Sequence, residues 1–102
     1  MKKLKWELHR QQLADLTELV EDSLVDMEPK NIAEKWIRYE LRNLAARLAK
    51  LKWTTGSKVK LNMPPPECFA FVAFFSNHPI DPTNHTDNLL LKMINEINQR
   101  YA

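Results

Sequence analysis

Cys68 is the strongest nucleophile type in the chain and its only cysteine, so no intramolecular disulfide can form. It opens the longest apolar run, Cys68-Phe69-Ala70-Phe71-Val72-Ala73-Phe74-Phe75. Apolar surroundings raise a thiol's pKa and make it inert, and nothing in the spacing of His78 or His85 supports a catalytic pair with it. The other concentration of reactive types is His78, Asp81, His85 and Asp87. Their pattern, H-x2-D-x3-H-x-D, matches no common metal-ligand spacing, and Pro79 and Pro82 set turns inside it. Capping and turn chemistry accounts for Asp81 and Asp87 without a metal. No Gly-x-Ser-x-Gly, Walker loop or His-Glu-x-x-His is present. The expectation is a protein that is not an enzyme, with no cofactor, no metal site and no small-molecule substrate.

The charged residues say more. Fifteen Lys and Arg against thirteen Asp and Glu leave a net +2, a total that selects no partner. The distribution is uneven: residues 1–29 carry −3, residues 30–60 carry +7, and residues 61–102 carry −2. Where those charges meet depends on the elements that hold them.

The 102 residues are 44% hydrophobic and 27% charged, a globular balance with room for a single domain, 1–102. One glycine in the whole chain argues against hairpin-rich β folds and phosphate-cradling loops. Trp6, His9, Leu13, Leu16, Val20, Leu24 and Met27 recur at steps of three and four, which predicts a helix over about 3–27, closed by Pro29. His9 then reads as a hydrogen-bonded residue at the core's edge. Asn31-Ile32-Ala33-Glu34 has the residue types of a capping box, although Pro29 could equally take the first helical position, and Ala33, Ile37, Leu41, Leu44, Leu48 and Leu51 extend a second stripe over about 30–53. Gly56 suits the left-handed position past that helix's end. So short a turn between them predicts a long antiparallel hairpin.

Two shorter helices, about 66–76 and 82–101, are expected to pack on the hairpin. Pro66-Glu67 begins the first, and Leu90, Met93, Ile94, Ile97 and Tyr101 line the second, which either Asp81-Pro82 or Thr86-Asp87 could open. Lys58-Val59-Lys60-Leu61-Asn62-Met63 alternates with period two, so a short β-hairpin pairing 58–63 with 68–75 is the alternative. The fold class is mainly α. Trp6-Glu7-Leu8-His9-Arg10 follows Met1-Lys2-Lys3, where a secretory signal would need an apolar run, and the predicted location is cytoplasmic with no membrane contact.

Folded as a hairpin, Asp15, Glu18, Glu21, Asp22 and Asp26 face Lys30, Lys35, Arg38 and Arg42, and the charges at the closed end can pair. At the open end Lys2, Lys3, Lys5 and Arg10 come beside Arg47, Lys50 and Lys52, with Lys58 and Lys60 just beyond. Trp6 and Trp53 lie near these nine cations, and Glu7 is the only acid among them. Such a patch suits phosphate backbones, and an exposed tryptophan can stack on a base. The second helix also has an aromatic flank, Ile32, Trp36, Tyr39 and Asn43, and Leu91 falls off the main face of the last helix. The leading expectation is therefore a small protein–protein interaction module, self-association included, that binds through Trp36, Tyr39 and Leu91. The alternative is a nucleic-acid-binding accessory protein using the basic open end, with Trp53 as the stacking residue.

Overall fold

The computed structural model describes residues 3–101, and Lys2 lies outside them. In chain order the elements are β1 (Leu4–His9), α1 (Arg10–Asp26), α2 (Ile32–Leu51), β2 (Lys58–Met63), α3 (Pro65–Phe75) and α4 (His85–Tyr101). The fold is mainly helical, as expected, with the addition of a two-stranded antiparallel sheet.

That sheet corrects the reading of the N-terminal residues. Residues 4–9 are a strand, so the first helix begins at Arg10 instead of residue 3 and is about 25 Å long. The pairing runs in register from Leu4↔Met63 to His9↔Lys58. Leu4, Trp6 and Leu8 alternate with Lys5, Glu7 and His9, and β2 alternates in the same way. Each strand thus turns one apolar row inward and one polar row outward. The three-and-four spacing through Trp6, His9 and Leu13 spans two different elements.

The helix boundary has a local cause. His9 is exposed, not at the core's edge, and it caps α1: its Nδ1 accepts from the Gln12 backbone N–H at 3.4 Å. The Gln12 side chain accepts from the His9 N–H at 3.1 Å, completing a capping box. At α2, Asn31 Oδ1 accepts from the Glu34 N–H at 2.8 Å, at the position its residue types predict.

Residues 68–75 are helical, which rules out their pairing with 58–63 as a β-hairpin. Pro65 takes the first helical position, where the missing N–H costs nothing, and the buried Cys68, Phe71 and Phe75 follow at helical spacing. The last helix starts at His85, three residues after the expected bound of 82 and beside the Thr86-Asp87 alternative, because Asp81 and Asn84 spend their side chains on turn and capping bonds. Gly56 does have a positive φ of 105°, but in the loop before β2, well past the α2 C-cap at Lys52.

All six elements contribute to one apolar cluster: Trp6 and Leu8, Leu13 to Val20, Leu41 to Leu48, Val59 to Met63, Cys68 to Phe75, and Leu89 to Ile97. α2 packs on α1 and α3, and α4 packs on α3 and α1. Buried Thr17 satisfies its hydroxyl on the Leu13 carbonyl at 2.6 Å, within its own helix.

The strand assignment makes adjacent residues unequal. Leu8→Ala, at a fully buried strand position, should cost about 2–5 kcal/mol in urea denaturation. Glu7→Ala, on the outward row, should cost no more than about 1 kcal/mol, the value of an exposed ion pair. Equal losses at the two positions would contradict the alternation.

Candidate functional site

α2 buries Leu41, Leu44 and Leu48, and its opposite side faces solvent. On that side Ile32 is 85% exposed, Trp36 42% and Tyr39 62%. Lys35 and Arg42 are exposed in the same stripe, and Arg38 is half-buried beside it. Pro29, Lys35, Arg38, Tyr39 and Arg42 surround a surface depression of about 290 Å³. Two of the three partner-binding residues predicted from the sequence, Trp36 and Tyr39, therefore share one outward stripe. Leu91 is also exposed but lies on α4 and is not part of it.

α1 has the opposite sign. Glu18, Glu21 and Asp22 are exposed on its outer side together with Val25, at helical spacing. The expected pairing of these acids with the α2 cations does not occur: no ion pair among the described residues joins the two helices. The reason is orientation, because the cations follow the outward side of α2 and the acids the outward side of α1. Val25 was not singled out from the sequence. Its spacing from Glu18, Glu21 and Asp22 sets it on their side of α1, away from the stripe of Leu13, Leu16, Thr17 and Val20 that enters the core.

The basic end divides into engaged and unengaged cations. Arg10 donates from Nε to the Gly56 carbonyl at 2.8 Å, from one terminal nitrogen to the Leu51 carbonyl at 3.1 Å, and from the other to the Thr54 carbonyl. A planar fork of this kind is well shaped to hold the orphan carbonyls of a helix end. Arg47 donates to the Asn62 carbonyl and pairs with the buried Glu67 carboxylate. Lys58 pairs with Glu7 at 3.4 Å. Lys3, Lys5, Lys50, Lys52 and Lys60 are exposed and form no ion pair among the described residues. The two tryptophans separate as well: Trp6 is buried with its indole N–H on the Glu96 carboxylate, whereas Trp53 is 89% exposed.

The reactive types have structural uses. Cys68 is buried, its thiol donates to the Met63 carbonyl at 3.5 Å, and burial pushes that thiol up to about 11. His78 Nε2 meets Asp87 Oδ1 at 3.1 Å, and Asp87 Oδ2 accepts from the Asp81 N–H at 3.0 Å. Asp81 in turn accepts from the Thr83 N–H and hydroxyl, which hold its carboxyl below the usual range. These bonds pin the loop between α3 and α4 to the first turn of α4.

Two concavities escaped the sequence. A cleft of about 410 Å³ lies between the starts of α1 and α4, with His9, Asp15, His85, Leu89 and Lys92 on its walls. A groove of about 430 Å³ runs between α3 and α4 beside Phe69, Val72, Ile97 and Tyr101. Phe69 and Tyr101 pack edge to face across it at 5.1 Å. Neither is visible from spacing, because each is assembled from elements whose packing the sequence pattern does not specify.

Arg47→Met should cost about 3–5 kcal/mol in thermal denaturation by stranding a buried carboxylate, and adding Glu67→Leu should recover most of it. The thiol gives a pH test. The folded thiol titrates near 11 and the ordinary one near 9.0, so on raising pH the unfolded chain loses its proton first. That contribution to stability is absent below about pH 9 and becomes a loss between about pH 9 and 11. Cys68→Ala should therefore show a shallower fall in urea midpoint from about pH 8 to 10.5 than the parent chain. Parallel falls would mean that the thiol ionises as freely folded as unfolded.

Comparison of the chain with protein-family models, curated proteins and solved structures finds no match.

Proposed function

We propose that this chain is a non-enzymatic association module whose partner is a second copy of itself. The observation that carries this reading is the pair of outward faces left with opposite charge and no pairing within the chain. One is the α2 stripe of Ile32, Lys35, Trp36, Tyr39 and Arg42, and the other is the α1 stripe of Glu18, Glu21, Asp22 and Val25. In this reading α1 and α2 lie antiparallel across the five residues between Asp26 and Ile32, with the two stripes side by side.

The spacings match. Lys35, Tyr39 and Arg42 fall at i, i+4 and i+7, as do Glu18, Asp22 and Val25. An α1 stripe laid on the α2 stripe of another copy sets carboxylates against cations and Val25 against the exposed apolar residues. A two-fold arrangement makes that contact twice and closes on itself. Exposed ion pairs contribute only about 0–1 kcal/mol each, so the charges chiefly set orientation. Affinity comes from burying Trp36, Tyr39 and Ile32, since aromatic anchors dominate interface energetics.

Sedimentation equilibrium tests this. The chain should show twice its monomer mass, and Trp36→Ala/Tyr39→Ala should lower the association constant by at least about tenfold, or 1.4 kcal/mol. Lys35→Glu/Arg42→Glu should be monomeric alone and should regain a dimer when mixed with Glu18→Lys/Asp22→Lys. A parent chain still monomeric at about 1 mM, where a contact of about 4 kcal/mol is already half-populated, would overturn the proposal. So would a dimer indifferent to both sets of substitutions.

A further inference from the structure

The outer row of the β1–β2 sheet forms a second surface that shares none of Ile32, Trp36 or Tyr39. Lys5, Lys58, Lys60 and Asn62 stand on it, exposed, and Lys3 continues it beyond the start of β1. Outward neighbours on one strand are about 6.8 Å apart, two residue rises, so the lysines form a row and not a single cluster. Glu7 is the one acid on this row, and Lys58 neutralises it. Lys3 and Lys60 flank a depression of about 190 Å³ between the sheet and the end of α2. Lys50 and Lys52 lie at that helix end, where the helix dipole favours cations, but the dipole does not account for the strand lysines.

Trp53, exposed in the turn after α2, offers a second kind of recognition beside the His9–Lys58 end of the sheet. An indole left in water forgoes the burial that a side chain of its size normally supplies. It is not on a loose segment: its backbone N–H donates to the Lys50 carbonyl at 3.1 Å, and Arg10 binds the carbonyls of Leu51, Thr54 and Gly56 on both sides of it. Arg10 follows His9 directly, so the same clamp ties the Trp53 turn to the His9–Lys58 end of the sheet.

We infer that this surface binds single-stranded nucleic acid, with Lys3, Lys5 and Lys60 on phosphates and Trp53 stacked on a base. Lysines alone would suit any polyanion, a duplex or an acidic peptide included. The exposed indole makes the selection, because only an unpaired base offers a free π face, and stacking tolerates any sequence. Lysine contacts to phosphate carry no sequence information either, so binding is general.

Fluorescence anisotropy of a labelled oligothymidylate about 15 nucleotides long, at about 50 mM salt, reads this directly. The parent chain should bind, with log affinity falling against log salt at a slope of about −2 for three phosphate contacts. Trp53→Ala should weaken binding about fivefold to a hundredfold and Trp53→Phe should restore part of it. Lys5→Glu/Lys60→Glu should abolish it, while Lys35→Glu/Arg42→Glu, on the association stripe, should leave it unchanged. Failure to bind at that salt, insensitivity to Trp53→Ala, or equal competition by a duplex or by polyglutamate would each overturn the inference. None of these outcomes depends on whether the chain dimerises.

Discussion

Pairing of residues 4–9 with residues 58–63 is the constraint on which the rest of the arrangement depends. It joins segments about fifty residues apart, so it closes both α1 and α2 into one loop and carries a closure entropy that local helix contacts do not. The register that offsets this cost is set by side chains, because a slip of one residue would turn Trp6, Leu8, Val59 and Leu61 out to water. Once it is set, two helix starts are fixed with it. His9 ends β1 and caps α1, and Met63 ends β2 one residue before the Pro64 cap of α3. The pairing also places Arg10 where its guanidinium reaches the carbonyls at the end of α2. One short sheet thus anchors α1 and α2 at its His9–Lys58 end and α3 at its Leu4–Met63 end.

The charge pattern follows from how those helices are turned. Opposite charges on neighbouring helices would ordinarily be expected to meet, yet the acids of α1 and the cations of α2 do not pair among the described residues. Both helices use their inner sides for leucine packing, which leaves each outward stripe to solvent. Exposed pairs contribute so little that nothing in folding compels the side chains to reach across. Electrostatic free energy left unused within the chain is available between chains, and this is the physical content of the proposed self-association.

Much of this was legible in the sequence, and the misses have specific causes. α2 was placed within two residues at both ends because Asn31 is a good cap and its leucine stripe is uninterrupted. α3 was placed equally well from its proline start. β1 was missed although Leu4, Trp6 and Leu8 alternate with Lys5, Glu7 and His9 as plainly as β2 does. Trp6 and His9 also fit a helical stripe running into Leu13, and two periods overlapping at a boundary cannot be told apart locally. What decides between them is the existence of a partner strand, and that information sits at residues 58–63. For the candidate sites, exposure was the missing quantity: Trp6 and Trp53 look alike in sequence, but one is core and the other stands in water.

The arginines and lysines of the basic end divide by chemistry as well as by position. Arg10 and Arg47 are both consumed inside the chain, and both bind backbone carbonyls near the junction of α2 with the sheet. A guanidinium can satisfy several acceptors in one plane while remaining charged, so it is the better residue for closing helix ends and loop carbonyls. Lysine, strongly hydrated and flexible, gains less from such a role and stays in solvent, as Lys3, Lys5, Lys50, Lys52 and Lys60 do. This division bears on the kind of ligand the end can take. Arginine reads guanine edges and grips phosphate with two bonds, and both nearby arginines are already occupied. In the proposed single-strand complex, a surface whose free cations are lysines would hold a phosphate chain by point charge and leave discrimination to Trp53. On this chemistry the basic end should distinguish stacked from unstacked bases and be indifferent to which bases they are.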